Sequence, residues 1–336
     1  MARRRVYKIR KRKKNRRKLL LFLVPLFILG LGASAYAASI YVKAKSVMDD
    51  SYKSIGTSDK RKTAVNPMAD NVSILFIGVD DSTKRKFNGH ARSDALMLAT
   101  FNKKEKSIKL LSIPRDSYVY IPGKDRYTKI NAAHAYGGPK TTIQTIEHLL
   151  DVPVDYYVRM NFNAFIDVVD ALNGIDVDVP YDLREQDSKD HKEAIHLKPG
   201  MQTLDGEQAL ALARTRHHDS DIQRGERQQQ ILKAIMTKAT SVGAVTKYTD
   251  VIQAVGNNME TNLKFTEMKS FLSYVTSGAG LNIETIKLKG ADNYTDGIYY
   301  YKLDETSVEE VKATLQKHLN VTSKDDTNGS ADSSSY

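Results

Sequence analysis

The stretch Val72-Ser73-Ile74-Leu75-Phe76-Ile77-Gly78-Val79-Asp80-Asp81 decides the fold. A nearly continuous apolar run closed by two carboxylates reads as a buried strand whose carboxyl end opens onto polar chemistry. In α/β sheets that end is where ligands collect. A polar loop then leads to His90-Ala91-Arg92-Ser93-Asp94. Ala95 to Phe101 and Ser107 to Ile113 are two β-like runs joined by Asn102-Lys103-Lys104-Glu105-Lys106, a pattern that predicts an antiparallel hairpin. The second run delivers Pro114-Arg115-Asp116.

Beyond the hairpin the chain alternates. Gly137-Gly138-Pro139 breaks the chain and starts a helix that runs to about Leu150, with Pro139 suited to its first turn. Tyr156 to Met160 reads as a strand, Asn163 to Leu172 as a helix capped by Asn163, and Ile175 to Val179 as a strand. Asp205-Gly206-Glu207-Gln208 has the form of a capping box opening a short helix. Further helices are expected at Lys247 to Gly256, Thr266 to Thr276 and Asp304 to Leu319. A strand at Ile283 to Leu288 and a Tyr-rich edge at Tyr299, Tyr300 and Tyr301 would complete the sheet. Alternation of this kind implies an α/β fold, and the hairpin makes its sheet mixed.

The short helix feeds Ala213 to Gln230, ARTRHHDSDIQRGERQQQ. If the chain is extended at Arg214 and Arg216, both side chains project to one face. Arg224, Arg227 and Gln228 stand at i, i+3 and i+4, one face of a helix that runs to about Thr240. Converging guanidinium groups form a fork for a multiply charged anion such as a phosphate or pyrophosphate. The plainer reading is a solvated basic face paired with Asp219, Asp221 and Glu226.

The chain has 336 residues and a formal net charge of +11, from 51 Lys and Arg against 40 Asp and Glu. Twelve of those basic residues and no acid fall in residues 1–18, so the rest carries 39 basic against 40 acidic residues, a net of −1. Nucleic-acid binding by the body of the protein is therefore disfavoured. Leu19 to Val42 carries no charge over 24 residues, the length and composition of a membrane span with its basic flank on the cytoplasmic side. A cleaved signal peptide is the alternative, since Ala33-Ser34-Ala35 and Ala35-Tyr36-Ala37 are both A-x-A-like. The expected organisation is a cytoplasmic tail (1–18), a signal-anchor helix (19–42), an extracellular stalk (43–70), an extracellular catalytic domain (71–322) and a disordered tail (323–336). No Cys is present, which excludes disulfides, thiolate metal sites and a Cys nucleophile.

Asp80 and Asp94 fall at strand or loop ends near Arg92 and Arg115, a pair suited to a hard cation such as Mg²⁺ that also takes substrate phosphates. Each also fits an acid satisfied by a neighbouring arginine. Arg115 fits an ordinary ion pair with Asp116, or a phosphate ligand that Asp116 holds in position. His217 and His218 are adjacent, tend to point apart, and lack zinc spacing. Neither a G-x-S-x-G elbow nor a Walker A loop is present.

The segments ILFIGVDD (74–81), ARSDALML (91–98), LLSIPRDSYVYIPG (110–123), KINAAHAYGG (129–138), DYYVRMNF (155–162), LNGIDVDVP (172–180) and ALARTRHHDSDIQRGERQQQ (211–230) together resemble the LytR-CpsA-Psr family of Gram-positive cell envelopes. The resemblance covers about Val72 to Thr240. It implies an α-β-α sandwich around a central mixed sheet, on a single-pass membrane protein whose catalytic domain is extracellular. It also implies transfer of an anionic glycopolymer, such as wall teichoic acid, from an undecaprenyl-pyrophosphate carrier to a muramic-acid hydroxyl of peptidoglycan. Carried over residue by residue, Asp80 and Asp94 would hold Mg²⁺. Arg92, Arg115, Arg214, Arg216, Arg224 and Gln228 would bind the pyrophosphate, with Arg115, Arg214, Arg216 and Asp80 at the chemistry and Asp80 or Asp81 as the candidate to accept the hydroxyl proton. Apolar faces of the core helices would line a tunnel for the polyprenyl chain. Charge neutralisation and positioning carry phosphoryl transfer, so no nucleophilic side chain is needed. The same residues would serve a pyrophosphatase, or a binding protein that holds anionic polymer without turning it over.

Overall fold

The computed structural model describes residues 38–80, 91–215, 221–239, 251–252, 255–276 and 282–321, together with 27, 29, 31–32 and 34–36. The chain divides into two units, Met1–Ser46 and Val47–Tyr336. Every described residue of the first unit is helical. No described helix is long and apolar enough to cross a membrane, and residues 1–26, which hold the most apolar part of the expected span, lie outside the described residues.

The second unit opens with helical residues 47–51 (α1) and is built on a six-stranded sheet in the order β11-β6-β1-β2-β3-β12. The expected strand Val72–Val79 is β1 and sits near the middle, with Val72, Leu75, Ile77 and Val79 fully buried. Burial on both faces is why it reads as unbroken apolar sequence rather than as an alternation. The predicted hairpin is β2 (Ser93–Asn102) and β3 (Ser107–Ser112), antiparallel from Met97 opposite Ser112 to Asn102 opposite Ser107. β6 (Tyr156–Asn161) pairs parallel to β1, and β12 (Asn282–Lys287) parallel to β3. β11 (Met259–Thr261) closes the other edge antiparallel to β6. The sheet is mixed, as expected.

Helices cover both faces. On one, α2 (Ala132–Leu150) and the last helix, α7 (Glu305–Leu319), bring Ile143, Ile146, Leu150, Val311, Leu315 and Leu319 against Leu75, Ile77, Leu98 and Leu111. On the other, α5 (Asp221–Ala239) and α6 (Phe265–Thr276) bring Leu232, Met236, Met268 and Phe271 against Ile74, Ala99, Phe101 and Val158. Leu75 and Ile77 serve one layer while Ile74 and Phe76 serve the other, the period-two rule of a strand with two cores. A third core joins α3 (Phe162–Ala171) and α4 (Gly206–Arg214) to the ribbon of β7 (Ile175–Val179) and β10 (Gly200–Leu204), and to β8 (Leu183–Glu185) and β9 (Ile195–Leu197).

Three expectations are corrected. The cap of α3 is Asn161, whose side chain accepts from the Ala164 amide, so the helix starts at Phe162 rather than after Asn163. Helical residues also precede the glycine pair: α2 begins at Ala132 and kinks where Gly138 takes φ 63 and ψ −151, a region only glycine enters readily. The Tyr-rich segment does not join the central sheet. It is β14 (Ile298–Leu303), paired with β13 (Gly290–Thr295) in a ribbon of its own. The helix expected from Lys247 falls largely outside the described residues.

One buried polar network locks the last helix to the sheet. His318 is buried, with its ring nitrogens 2.8 Å from the hydroxyls of Thr100 and Ser107, while its carbonyl accepts from Asn102 at 2.8 Å. Burial, with a smaller push from Lys109, holds this imidazole down at about 4.

Candidate functional site

The site grows from the strand ends. β1 stops at Val79, and Asp80 follows, 9% exposed. The β1–β2 register slips between Gly78 and Val79, so that Val79 faces Ser93. A bulge at this point re-aims the residues next to it. Asp80 and Asp94 therefore emerge at the same end of the sheet. β3 runs antiparallel to β2, so the chain returns to that end before reaching Arg115, whose Nη1 donates to Asp94 Oδ1 at 2.7 Å.

Asp116 plays a lesser part in holding Arg115 than its place in the sequence implied. Its Oδ2 lies 3.5 Å from Arg115 Nε, which makes no hydrogen bond, whereas its Oδ1 takes Lys129 Nζ at 2.9 Å. Asp94 is the residue that orients Arg115.

From the opposite side come α4 and α5. The expected capping box is present: Asp205 accepts from the Gln208 amide, and the Asp205 amide donates in turn to the Gln208 side-chain carbonyl. Such a box fixes where a helix starts, and here α4 ends at Arg214. Arg214 Nη2 donates to the carbonyls of Gln186 and Asp187, both at 2.8 Å, and its guanidinium lies 5.7 Å from the Phe162 ring centroid. Arg216 lies outside the described residues, as do Asp81, His217 and His218.

On α5 the three residues grouped by helical spacing separate. Arg224 and Gln228 line a cavity shared with Arg115. Arg227 does not line it. This side chain is buried, donates from Nε to Leu212 O at 3.1 Å and from Nη2 to Thr215 O at 2.9 Å, and sits over Tyr181. It ties α5 to the end of α4. Gln229 bridges strands instead, donating to Leu110 O and Ile286 O at 3.1 and 2.9 Å. Arg92 is exposed and outside the cavity lining.

The cavity has a volume of about 710 Å³, within the range of ordinary ligand sites. Among the described residues its charged lining is Asp80, Asp94, Arg115, Glu185, Arg214 and Arg224. Its apolar lining includes Phe76, Met97, Met160, Phe165, Ile231 and Ile235. Along α5 the lining changes from Arg224 and Gln228 to Ile231, Leu232 and Ile235 over roughly 16 Å of helix. Along the sheet it changes from Asp80 and Asp94 to Phe76 and Met97. One cavity thus has a charged end and an apolar end, a shape for an amphiphile with an anionic head. Glu185 and Gln186 carried no signal in the sequence, because the β8 segment is brought to the site by the chain's long return rather than by any local pattern.

Comparison with known proteins agrees. The chain matches the LytR_cpsA_psr family over residues 38–317. It is 42% identical to the Bacillus subtilis polyisoprenyl-teichoic acid–peptidoglycan teichoic acid transferase TagT, covering 87% of this chain and 91% of that one. Among solved structures it is similar to TagT bound to LIIa-WTA, at 43% identity and TM-score 0.69, over 81% of this chain and 99% of the other. It is also similar to a LytR-CPS2A-psr family protein, YwtF (TagT), with bound octaprenyl pyrophosphate lipid, at 41% identity and TM-score 0.65, over 80% and 99% of the two chains. Motifs, structural similarity and near full-length sequence similarity converge on one conclusion: the chain belongs to the LytR_cpsA_psr family.

Proposed function

We propose that the protein is a phosphotransferase that moves an anionic glycopolymer from a polyprenyl-pyrophosphate carrier to peptidoglycan, forming a phosphodiester. The observation that carries this reading is the two-ended cavity, with arginines and carboxylates at one end and an apolar wall at the other. Relatives named as teichoic acid transferases, and a related structure with bound octaprenyl pyrophosphate, support it.

In this reading the polyprenyl chain lies along Phe76, Met97, Ile231 and Ile235, and the pyrophosphate meets Arg115, Arg214, Arg224 and Gln228; the family resemblance adds Arg216, which lies outside the described residues. The acceptor hydroxyl oxygen bonds to the phosphorus that carries the sugar, and the bond from that phosphorus to the lipid phosphate breaks. The lipid departs as a monophosphate whose charge the guanidinium groups neutralise. Asp80 or Asp81 receives the hydroxyl proton. Asp94 holds Arg115 in register through the 2.7 Å bond.

Asp80 and Asp94 are also the residues that would hold Mg²⁺. Two carboxylates facing one cavity, with no soft ligand between them, fit a hard cation that completes its shell with phosphate oxygens and water. Bound there, Mg²⁺ would draw charge from the pyrophosphate oxygens. The uncharged run 19–42 with its basic flank supports a single-pass anchor, with residues 1–18 cytoplasmic and the catalytic domain outside the cell.

The test is to incubate the purified full-length chain with a lipid-pyrophosphate-linked labelled saccharide, polymer-free peptidoglycan and Mg²⁺, beside Asp94→Ala. Covalent label in the peptidoglycan, lost in the variant, is the expected result. Free phosphosaccharide with an unlabelled acceptor would make the protein a hydrolase. Bound but unreacted lipid in both proteins would leave a binding protein.

A further inference from the structure

The face beyond Arg115 is built from tyrosine. β4 (Tyr118–Ile121) and β5 (Arg126–Lys129) form an antiparallel ribbon in which Tyr118 faces Lys129 and Tyr120 faces Tyr127. Val119 and Ile121 are buried on the inner side, so the alternation places Tyr118, Tyr120, Tyr127 and Lys129 together on the outer one. Tyr118 and Tyr127 stay 43% and 59% exposed even though they stack at 5.5 Å. Tyr300 of β14 meets Tyr118 edge-on at 4.9 Å, and Tyr120 lies 5.4 Å from Tyr127 and 5.2 Å from His148. The rings form a continuous run. Lys129 Nζ sits 5.6 Å from the Tyr299 ring centroid and 5.8 Å from that of Tyr300.

This run is joined to the cavity by short contacts. Lys129 binds Asp116 at 2.9 Å, and Asp116 adjoins Arg115 in the chain. The Tyr301 amide donates to the Asp116 carbonyl at 2.9 Å, fixing β14 against the turn that presents Arg115. The tyrosines therefore lie on the Arg115 side of the cavity, its charged end, though none of them is in its lining.

We propose that the outer face of the β4–β5 ribbon, carrying Tyr118, Tyr120 and Tyr127 with Tyr300 and Lys129 beside it, is the docking surface for the glycan strand of the peptidoglycan acceptor. The inference rests on the transferase reading above. Sugar rings present flat C–H faces that meet the negative face of an aromatic ring, and their hydroxyls meet phenol oxygens and ammonium groups. A contiguous exposed aromatic patch marks an interaction site rather than a neutral surface. A membrane surface is the lesser match: the run holds no exposed Leu, Phe or Trp to enter the bilayer, and it is tied through Asp116 to the turn that carries Arg115. The β4–β5 ribbon aims a strand laid along it at Arg115, the place where its hydroxyl is needed.

The test uses the full-length chain in detergent and three variants, Tyr118→Ala/Tyr127→Ala, Tyr118→Phe/Tyr127→Phe and Tyr294→Ala. Sedimentation with sacculi stripped of anionic polymer reads acceptor binding. Octaprenyl pyrophosphate binding reads the donor site separately, and binding to anionic phospholipid vesicles reads membrane contact. The double Ala variant is expected to bind sacculi about tenfold more weakly, about 1.4 kcal/mol, and to raise the acceptor KM by a similar factor. The double Phe variant keeps the rings and is expected to bind near normally, as is Tyr294→Ala, whose ring meets Tyr299 at 5.5 Å and is not one of the rings of the docking surface. Donor binding is expected to be unchanged in all three. Undiminished sacculus binding by a folded double Ala variant would overturn the proposal, and so would loss of vesicle binding in place of sacculus binding. Sacculus and donor binding without any transfer would instead count against the transferase reading and leave the surface standing.

Discussion

Arg227 separates an arginine that holds the fold from those that line the cavity. Its guanidinium donates to Leu212 O and Thr215 O, among its contacts, at a site where it is 5% exposed. Arg227→Met keeps the volume and the apolar stem but removes both donors and leaves two buried carbonyls without them. Bonds to charged groups contribute about 1.5–3 kcal/mol each, and an orphaned acceptor costs on a similar scale, so a loss of about 3–5 kcal/mol is expected. For a domain of this size that corresponds to a fall of roughly 10 °C in Tm. Thermal unfolding followed by circular dichroism measures it. Octaprenyl pyrophosphate binding at a temperature well below the new midpoint should weaken only modestly, because Arg227 lies outside the cavity lining. A variant that melts like the parent yet loses donor binding would refute this assignment and give Arg227 a part in ligand binding.

Other expectations follow from the same geometry. Arg115→Ala and Arg224→Ala should lower transfer by about a hundredfold or more with little change in Tm, as for loss of a preorganised donor at developing charge; steady-state transfer and thermal melts read the two effects. Ile235→Asp should abolish octaprenyl pyrophosphate binding by placing a carboxylate in the apolar wall, measured by direct titration of that lipid. Stability should depend on pH through His318. Its folded value of about 4 lies below the ordinary 6.5, so the unfolded chain binds the proton first. The associated stability is intact above about pH 6.5 and is lost as pH falls toward 4, on the order of 3 kcal/mol in full. Denaturation midpoints across that range should fall with pH, and more gently in His318→Gln.

Where a residue's role is set by its neighbours in the chain, it was legible in the sequence. β1, the β2–β3 hairpin and the α4 capping box follow from local pattern, and each falls where the pattern put it. The α3 cap was misplaced by two residues because Asn161 and Asn163 are equally good caps locally. Choosing between them needs the end of β6, which is tertiary information. The Tyr-rich β14 has the composition of a strand of the main sheet, yet it pairs with β13, because strand composition does not specify a partner. In the site, helical spacing grouped Arg224, Arg227 and Gln228, and the structure keeps only the first and last at the cavity. Spacing defines a face but not what that face meets, and the carbonyls at the end of α4 claim Arg227 first. Asp116 was the natural sequence partner for Arg115, but Asp94, 21 residues away along the chain, makes the close bond because β2 and β3 run antiparallel. The residues that border the cavity by long return, Glu185 and Gln186, had no pattern to betray them.

The most direct measurement is of the bond itself. After reaction of the purified chain with a lipid-pyrophosphate-linked saccharide and polymer-free peptidoglycan, the acceptor is digested with a muramidase and its fragments are analysed by mass spectrometry. The account predicts muropeptides carrying the saccharide through a phosphodiester, with polyprenyl monophosphate released one for one, and neither product from Arg115→Ala. Unmodified muropeptides alongside free phosphosaccharide, from a protein that consumes the donor, would contradict it.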